Sequence, residues 1–459
     1  MQRKNSLSDK LFLTKTTSPP PATWRKTVPV STLLGLTLIG LGLVGNHWLI
    51  SQVALRFGIA LDLNSMAGTM RLWLLKIFLI SIGAPVALYS YRARSRGKTL
   101  FDTSVGLALA LVVLIFFDGT FFILNTIWLK EAPQTRLSYS EPYLLPDDTF
   151  GYRLKADTTV SVRQQIADQV IYDVTYTTDP YGRRVTPTEP QRTTKEKFIL
   201  FLGDSFTFGD GVNDDQTLPF YVAQLAADYQ PYNYGVSGYG PQQLFLTLQQ
   251  DQLRQEIKEP TGLAVYTFIC PHLRRAIGAS EVHNAWGGVM PYFSLDRQGK
   301  LIRQGNFVSG RPFISILYNL VGSSEAAKYF NVRLPAGLSE PHFRLTVTMI
   351  EAAQAAFAAK FPRGDFYVLF YPEQRDCGQQ LRPYLAARGL KYLDYSELFE
   401  PGQAADLAIP DGHPTAQAYH LVAEQLVRDL GLAAEPVVKV KYASVNKLEI
   451  STSIYAEKP

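Results

Sequence analysis

The chain has 459 residues, 46% of them hydrophobic and 19% charged, with a formal net charge of +5. That length exceeds one ordinary domain, and the apolar residues crowd into the first third. Lys and Arg gather at the N-terminus and in one short loop without interleaved aromatics, which speaks against nucleic-acid binding. The two cysteines, Cys270 and Cys377, are too few for a zinc knuckle or a disulfide framework. Free thiols are the expectation, and one disulfide in an oxidising compartment is the alternative.

From Val28 to Leu55 no Asp, Glu, Lys or Arg occurs, a stretch longer than the roughly 20 apolar residues that cross a bilayer. A cleaved signal peptide would have a shorter apolar core and a small-residue cleavage site, so a retained membrane helix is predicted. Leu72 to Tyr91 is predicted as the second span, with Lys76 near one end, where it can snorkel, and Pro85 inside. Val105 to Trp128 is the third. Arg3, Lys4, Lys10, Lys15, Arg25 and Lys26 precede the first span, and Arg92, Arg94, Arg96 and Lys98 join the second to the third. Both flanks are therefore expected in the cytoplasm. Residues 1–27 become a cytoplasmic tail and 28–128 a membrane anchor, with everything after Trp128 outside, in a periplasmic or extracellular space. The run Gly40-Leu41-Gly42-Leu43-Val44-Gly45 matches a dinucleotide fingerprint by letter, but it lies inside a span and reads as close helix packing. Asp118 is a carboxyl near mid-span, for which a proton or ligand role and a helix-contact role are both open.

Residues 129–196 form a linker and lead-in, where Val170, Tyr172, Val174 and Tyr176 alternate as in a hairpin strand and Asp179-Pro180-Tyr181-Gly182 marks a turn. From 197 to 432 short apolar runs alternate with helical patterns. Strands are predicted at Phe198–Leu202, Tyr232–Val236, Leu263–Ile269, Phe366–Tyr371 and Lys391–Asp394. This is the pattern of an α/β fold with a parallel sheet covered on both faces. Helices are expected near Pro219, Pro241 and Pro414, since proline suits a first helical turn. The last presents Tyr419, Val422, Ala423, Leu426 and Leu430 on one face. Residues 278–338 lack a period and are long for a connector, so they are read as a lid or substrate-recognition insertion. The tail 433–459 carries no signal.

The strand FILFL runs into Gly203-Asp204-Ser205, which places Ser205 at a strand's C-terminal end, where α/β sheets bind ligands. With a helix starting there, the Ser205 N–H would face developing negative charge. Far downstream, Asp411 and His413 stand two residues apart in Ile409-Pro410-Asp411-Gly412-His413-Pro414. In an extended loop they would share one side, so that Asp411 orients His413 while its other ring nitrogen takes the Ser205 proton. A lone serine more often serves as a helix cap, and a lone Asp-x-His more often as a loop histidine. The combination is what points to a nucleophile.

GDSFTFG after the first strand, NYGVSGYG after the second and DGHPTAQAYH before the last helix resemble three sequence blocks of the SGNH (GDSL-type) hydrolase family, over roughly Lys197 to Leu432. The resemblance implies a flavodoxin-like three-layer α/β/α sandwich preceded here by three transmembrane helices. It implies an esterase, lipase, thioesterase, carbohydrate deacetylase or O-acyltransferase that needs neither metal nor organic cofactor. Carried over, Ser205 is the nucleophile, His413 the general base and Asp411 its orienter. Ser205 and Gly238 supply oxyanion-hole N–H groups, and Asn233 and Gly235 shape their loop. Two departures stand out: the spacing is Asp-x-His, not Asp-x-x-His, and the third block's asparagine is absent. His272, in Cys270-Pro271-His272-Leu273-Arg274-Arg275, is the expected replacement donor, with a structural loop histidine as the other reading. His420, on the final helix, is read as packing or as support behind the site. Three functions follow: an esterase or deacylase acting on an acylated lipid or glycan, an O-acyltransferase supplied by a membrane partner, or a silent glycan-binding module.

Overall fold

The computed structural model describes residues 35–40, 80, 83–87, 117–122, 135–188, 195–400 and 402–433. The three predicted spans lie mostly outside these residues, as do the N-terminal tail and residues 434–459. Among the described residues no helix is long and apolar enough to cross a membrane. The chain divides into two compact units, residues 1–50 with 63–117, and 51–62 with 118–459. In the first, helical turns at 35–40 and 83–87 meet through small residues. A Cβ on Gly35 would lie 2.7 Å from the Gly83 carbonyl, whereas one on Gly40 meets nothing within 4 Å. Close packing thus belongs to Gly35 and Gly83, and Gly42 and Gly45 lie outside the described residues.

The second unit begins with antiparallel strands: β1 (Thr135–Tyr139), β2 (Leu144–Asp147), β3 (Gly151–Leu154), β4 (Thr159–Ile166) and β5 (Gln169–Thr177). They form a three-stranded sheet in the order β1-β4-β5 and a separate β2-β3 pair. The alternation read at 170–176 belongs to β5, and the 179–182 turn closes with Gly182 N donating to Asp179 O at 2.9 Å. This lead-in is more than one hairpin.

A helical turn, α1 (Ser205–Phe208), follows β6 (Lys197–Gly203); α2 (Leu218–Leu225) leads to β7 (Tyr229–Gly235). Then come α3 (Pro241–Gln249), α4 (Leu253–Glu256), β8 (Thr261–Phe268), α5 (Pro271–Ala276) and α6 (Ser280–Ala285). The 278–338 insertion is ordered: α6 is followed by a β9 (Pro291–Leu295) and β10 (Leu301–Asn306) hairpin, then α7 (Phe307–Gly310), α8 (Pro312–Ser323) and α9 (Glu325–Tyr329). The chain closes with α10 (Glu340–Lys360), β11 (Asp365–Phe370), α11 (Arg375–Ala387), β12 (Tyr392–Asp394) and α12 (Ala416–Asp429).

All five strands expected in the parallel sheet are present, in the order β12-β11-β8-β6-β7. Every pairing is parallel. Numbered within the sheet this is 2-1-3-4-5, a doubly wound order whose direction reverses between β6 and β8. Alternation along β6 divides its side chains between two cores. Phe198, Leu200 and Leu202 pack with α3 and α10 residues such as Leu244 and Ile350, while Ile199 and Phe201 pack with Val222 of α2 and Leu426 of α12. Both faces are buried, which is why FILFL is unbroken by polar residues. A third core joins the lead-in to the sheet domain: Tyr143, Phe150, Val160, Val174 and Tyr176 pack with Phe208, Tyr239 and Met349.

Helix α12 starts at Ala416, two residues later than Pro414 suggested, because the Thr415 side chain caps it by accepting from Ala418 N at 3.2 Å. The expected free thiols are instead a disulfide. Cys270 and Cys377 are joined with their Cα atoms 5.6 Å apart, linking the end of β8 to the first turn of α11. One reading of Asp118 is also favoured. Its carboxylate accepts from Ser324 Oγ at 2.7 Å and from Ala326 N at 3.0 Å, so it makes a helix contact at the start of α9.

Candidate active site

Gly203 ends β6 tightly: a Cβ there would clash with Thr207 Oγ1 and sit 3.1 Å from Thr267 O, at a φ of +151°. Asp204 caps α1, its Oδ1 accepting from Phe206 N at 3.1 Å. Ser205 is therefore the first helical residue, with its N–H left free of the helical ladder, as at any helix start. It sits beside the reversal point, where the sheet's strand order opens a crevice. Its carbonyl accepts from Gly209 N at 2.8 Å and Asp210 N at 3.1 Å, which folds Asp210 back over the turn.

His413 arrives at the same sheet end, its ring centroid 5.7 Å from that of Phe206. Nδ1 lies 3.1 Å from Asp411 Oδ1, near enough for an ion pair but not aligned as a hydrogen bond. The same oxygen accepts from His413 N at 3.0 Å. The extended Asp-x-His geometry is replaced by a tight turn. Gly412 N donates to Ile409 O and Ile409 N to His413 O, both at 2.8 Å, with Gly412 at φ +90°. Glycine is what permits this left-handed step, and the turn makes the shortened spacing workable.

On the far side of the imidazole, Nε2 lies 3.9 Å from Asp210 Oδ2. The Ser237 hydroxyl reaches both Asp210 oxygens at 2.8 Å. Burial would depress the His413 pKa, but the Asp411 contact and the Asp210 charge outweigh it and the net shift is upward. Burial also acts to raise Asp411, yet His413 holds it below the ordinary carboxylate range. Asp210 is pushed up by burial, with His413 and Ser237 opposing. Sequence reading missed Asp210; its only local trace is an acid between Gly209 and Gly211 just past the nucleophile.

Gly238 lies at φ +83°, where a Cβ would collide with the Tyr152 hydroxyl and stand 2.7 Å from Trp286 Nε1. Tyr152 donates to Ser237 O at 2.8 Å and Trp286 Nε1 to Gly238 O at 3.4 Å. The lead-in and the insertion thus both border this loop. Asn233 ties β7 to α1, donating to Thr207 O at 3.1 Å and accepting from Gly235 N at 3.0 Å. Gly235 is the closest approach, since a Cβ there would sit 2.7 Å from Thr207 C.

His272, the expected replacement donor, lies beside Asp204 in the core. The ring is wholly buried, with Nδ1 2.8 Å from the Tyr266 hydroxyl and Nε2 3.3 Å from Asp204 Oδ2. Nδ1 is thus hydrogen-bonded, whereas Nε2 stands at ion-pair distance from Asp204 without an aligned hydrogen bond. Burial lowers its pKa against the pull of Asp204. The counter-charge of Asp204 is Arg275, which donates to Asp204 Oδ2 and, at 2.8 Å, to Tyr239 O. Burial works against the Asp204 charge, but Arg275 holds the carboxyl well below the usual range. Arg274 pairs with Glu281. His420 is part-exposed, its ring 5.0 Å from that of Tyr221 and its Nδ1 3.8 Å from Glu424 Oε1. Among the described residues no cluster of His, Cys, Asp or Glu is arranged to hold a metal.

No family model matches the chain, and no curated protein matches it. Among solved structures the chain is similar to a member of the lipolytic protein G-D-S-L family from Veillonella parvula. The identity is 15% over 50% of this chain and 97% of that one, with a TM-score of 0.30. It is similar to an acetylxylan esterase from Geobacillus stearothermophilus at 12% identity, over 54% of this chain and 100% of that one, with a TM-score of 0.30. A family two carbohydrate esterase from Clostridium thermocellum shares 10% identity over 55% of this chain and 69% of its own, with a TM-score of 0.29.

Proposed function

We propose that this chain is a membrane-tethered serine esterase or deacylase that acts on an acylated lipid or glycan outside the cytoplasm. The observation that carries the reading is the convergence of Asp411 and His413, 3.1 Å apart, on the sheet end that presents Ser205. In the reaction, His413 Nε2 takes the Ser205 Oγ proton as Oγ bonds to the acyl carbon. The oxyanion faces the N–H groups of Ser205 and Gly238. The ester C–O bond then breaks, the His413 proton passes to the departing alcohol, and water repeats the sequence to release the acid. Asp411 keeps the imidazole oriented and favours its charged form.

The tether rests on the apolar segments and their basic flanks. The Cys270–Cys377 disulfide supports an oxidising compartment for the domain. Asp210 favours a second reading, a silent glycan-binding module: it stands 3.9 Å from Nε2, the nitrogen that must face Ser205. Hydrolysis of a short p-nitrophenyl ester and labelling by a fluorophosphonate decide between them. Turnover and labelling that vanish in Ser205→Ala and in His413→Ala are expected. Equal labelling of the Ser205→Ala chain removes the mechanism, and glycan binding without turnover turns the reading to the silent module. Acyl transfer to an added oligosaccharide in place of hydrolysis would make it an O-acyltransferase.

A further inference from the structure

Helix α8 is built inside out. No charged residue occurs from Pro312 to Ser324, and the side chains turned inward are those of Ser315 and Tyr318. The Ser315 hydroxyl donates to Phe307 O at 2.9 Å, and Asn284 donates to Tyr318 O at 2.8 Å. Its outer face carries Phe313, Ile316, Leu317 and Leu320, with relative exposures of 86, 57, 50 and 63%. Helices against water place these residues the other way round. The apolar surface continues onto Val308 and Val289, both about half exposed. A contiguous patch of this kind marks an interaction surface.

A separate observation says what that surface meets. Asp118 belongs to the apolar stretch from Val105 to Trp128, and it bonds the start of α9, immediately after α8. One turn on, the Phe121 ring lies 4.7 Å from Tyr329 and 5.3 Å from Phe330. Asp118 precedes Trp128 by ten residues, which would amount to about 15 Å at the rise of a membrane-spanning helix. That is about half of a hydrocarbon core of roughly 30 Å. A helix joined directly to α9 is then held at membrane depth, not above it. With twelve residues α8 is about 18 Å long, too short to cross but suited to lying in the interface.

We propose that the outer face of α8 is embedded in the acyl-chain layer of the bilayer that the 105–128 segment enters. The inference rests on the membrane-tether part of the proposed function and is independent of the ester chemistry. The native cysteines are paired, so a single introduced cysteine can carry a nitroxide. The full chain is reconstituted in phosphatidylcholine–phosphatidylglycerol vesicles, with Phe313→Cys, Leu317→Cys, Val113→Cys and Lys391→Cys labelled one at a time. Collision with oxygen, which concentrates in lipid, is compared with collision with a water-soluble nickel chelate. Oxygen is expected to dominate at 313 and 317, as at 113 inside the apolar segment, and nickel at 391. Nickel dominating at 313 and 317 while 113 stays in lipid overturns the embedding and leaves the tether. Nickel dominating at 113 as well overturns both. Shielding of 313 and 317 from both reagents also overturns the proposal, by making the occupant a protein partner or a second copy.

Discussion

Cutting the Cys270–Cys377 bridge tests how much of the domain's stability comes from confining its unfolded chain. The bridge closes a loop of 107 residues that includes the whole insertion, α10 and β11. In the chain-entropy model such a loop removes about 16 cal/mol/K from the unfolded state, or about 4.8 kcal/mol at 25 °C. Removing a native bridge typically costs about 2–5 kcal/mol and this loop is a long one, so a loss of roughly 3–5 kcal/mol is expected for the double variant Cys270→Ala, Cys377→Ala. At about 2–4 °C per kcal/mol for a domain of this size, Tm should fall by roughly 6–20 °C. Thermal and urea unfolding, followed by near-ultraviolet circular dichroism in detergent, gives both values. Wild type treated with a phosphine reductant should fall to the level of the double variant. An oxidised wild type and a double variant within 1 kcal/mol of each other would refute the entropic argument, because so long a loop cannot be closed without cost.

The upward shift of His413 means that the imidazole stays protonated above its ordinary range, and a protonated base cannot accept from Ser205. The acid limb of kcat/KM should therefore lie above the usual imidazole pKa, and Asp210→Asn should move it to lower pH, read from a pH–rate profile. The stability contributed by charged His413 is fully present below the unfolded imidazole pKa and is lost as pH rises through the raised folded value. Gly238→Ala places a methyl against Tyr152 and Trp286 at a left-handed φ, and displacing that N–H should cost about 10²–10³ in kcat with far-ultraviolet dichroism unchanged. A kcat within twofold of wild type would refute the donor role. Arg184 is buried and donates to Asp214 Oδ1 at 2.9 Å, Phe208 O at 2.8 Å and Val212 O at 2.7 Å. Arg184→Ala should destabilise by about 3–5 kcal/mol in urea unfolding, since it removes the ion-pair partner of the part-buried Asp214 and one bond to each of the Phe208, Gly209 and Val212 carbonyls.

The parallel sheet was legible because each strand is a short apolar run buried on both faces, which leaves a signature that needs no knowledge of neighbours. Helix α10 was not read, although Phe343, Val347, Ile350, Ala353 and Phe357 follow a helical period. Buried Thr346 and exposed alanines blur the contrast between its faces. At the site, Ser205, Asp411 and His413 were readable from their motifs, but side-chain direction was not. The letters of PHLRR give three donors after β8, and only the position of Asp204 decides that Arg275 becomes its ion-pair partner and His272 its neighbour. Asp210 is a similar case, since it reaches His413 only because α1 ends at once in a left-handed Gly209. The disulfide required knowing that two strand ends, far apart in sequence, lie side by side.

The third core crosses a boundary that the sequence suggests at Lys197. Phe208, Val236 and Tyr239 on the sheet side share their cover between Leu246, Ala276, Phe293 and Met349 of the same domain and Tyr143, Phe150, Val174 and Tyr176 of the lead-in. A fragment beginning at Lys197 would expose that layer and lose Arg184 and Tyr152 with it, so a recombinant soluble form should begin before Thr135. During synthesis the lead-in emerges before the residues it will cover, and its apolar side must wait for α10, whose Met349 closes the same cluster. The segment before Lys197 is in this sense the last part of the domain to become stable, and a chaperone acting on the emerging chain would find its binding surface there.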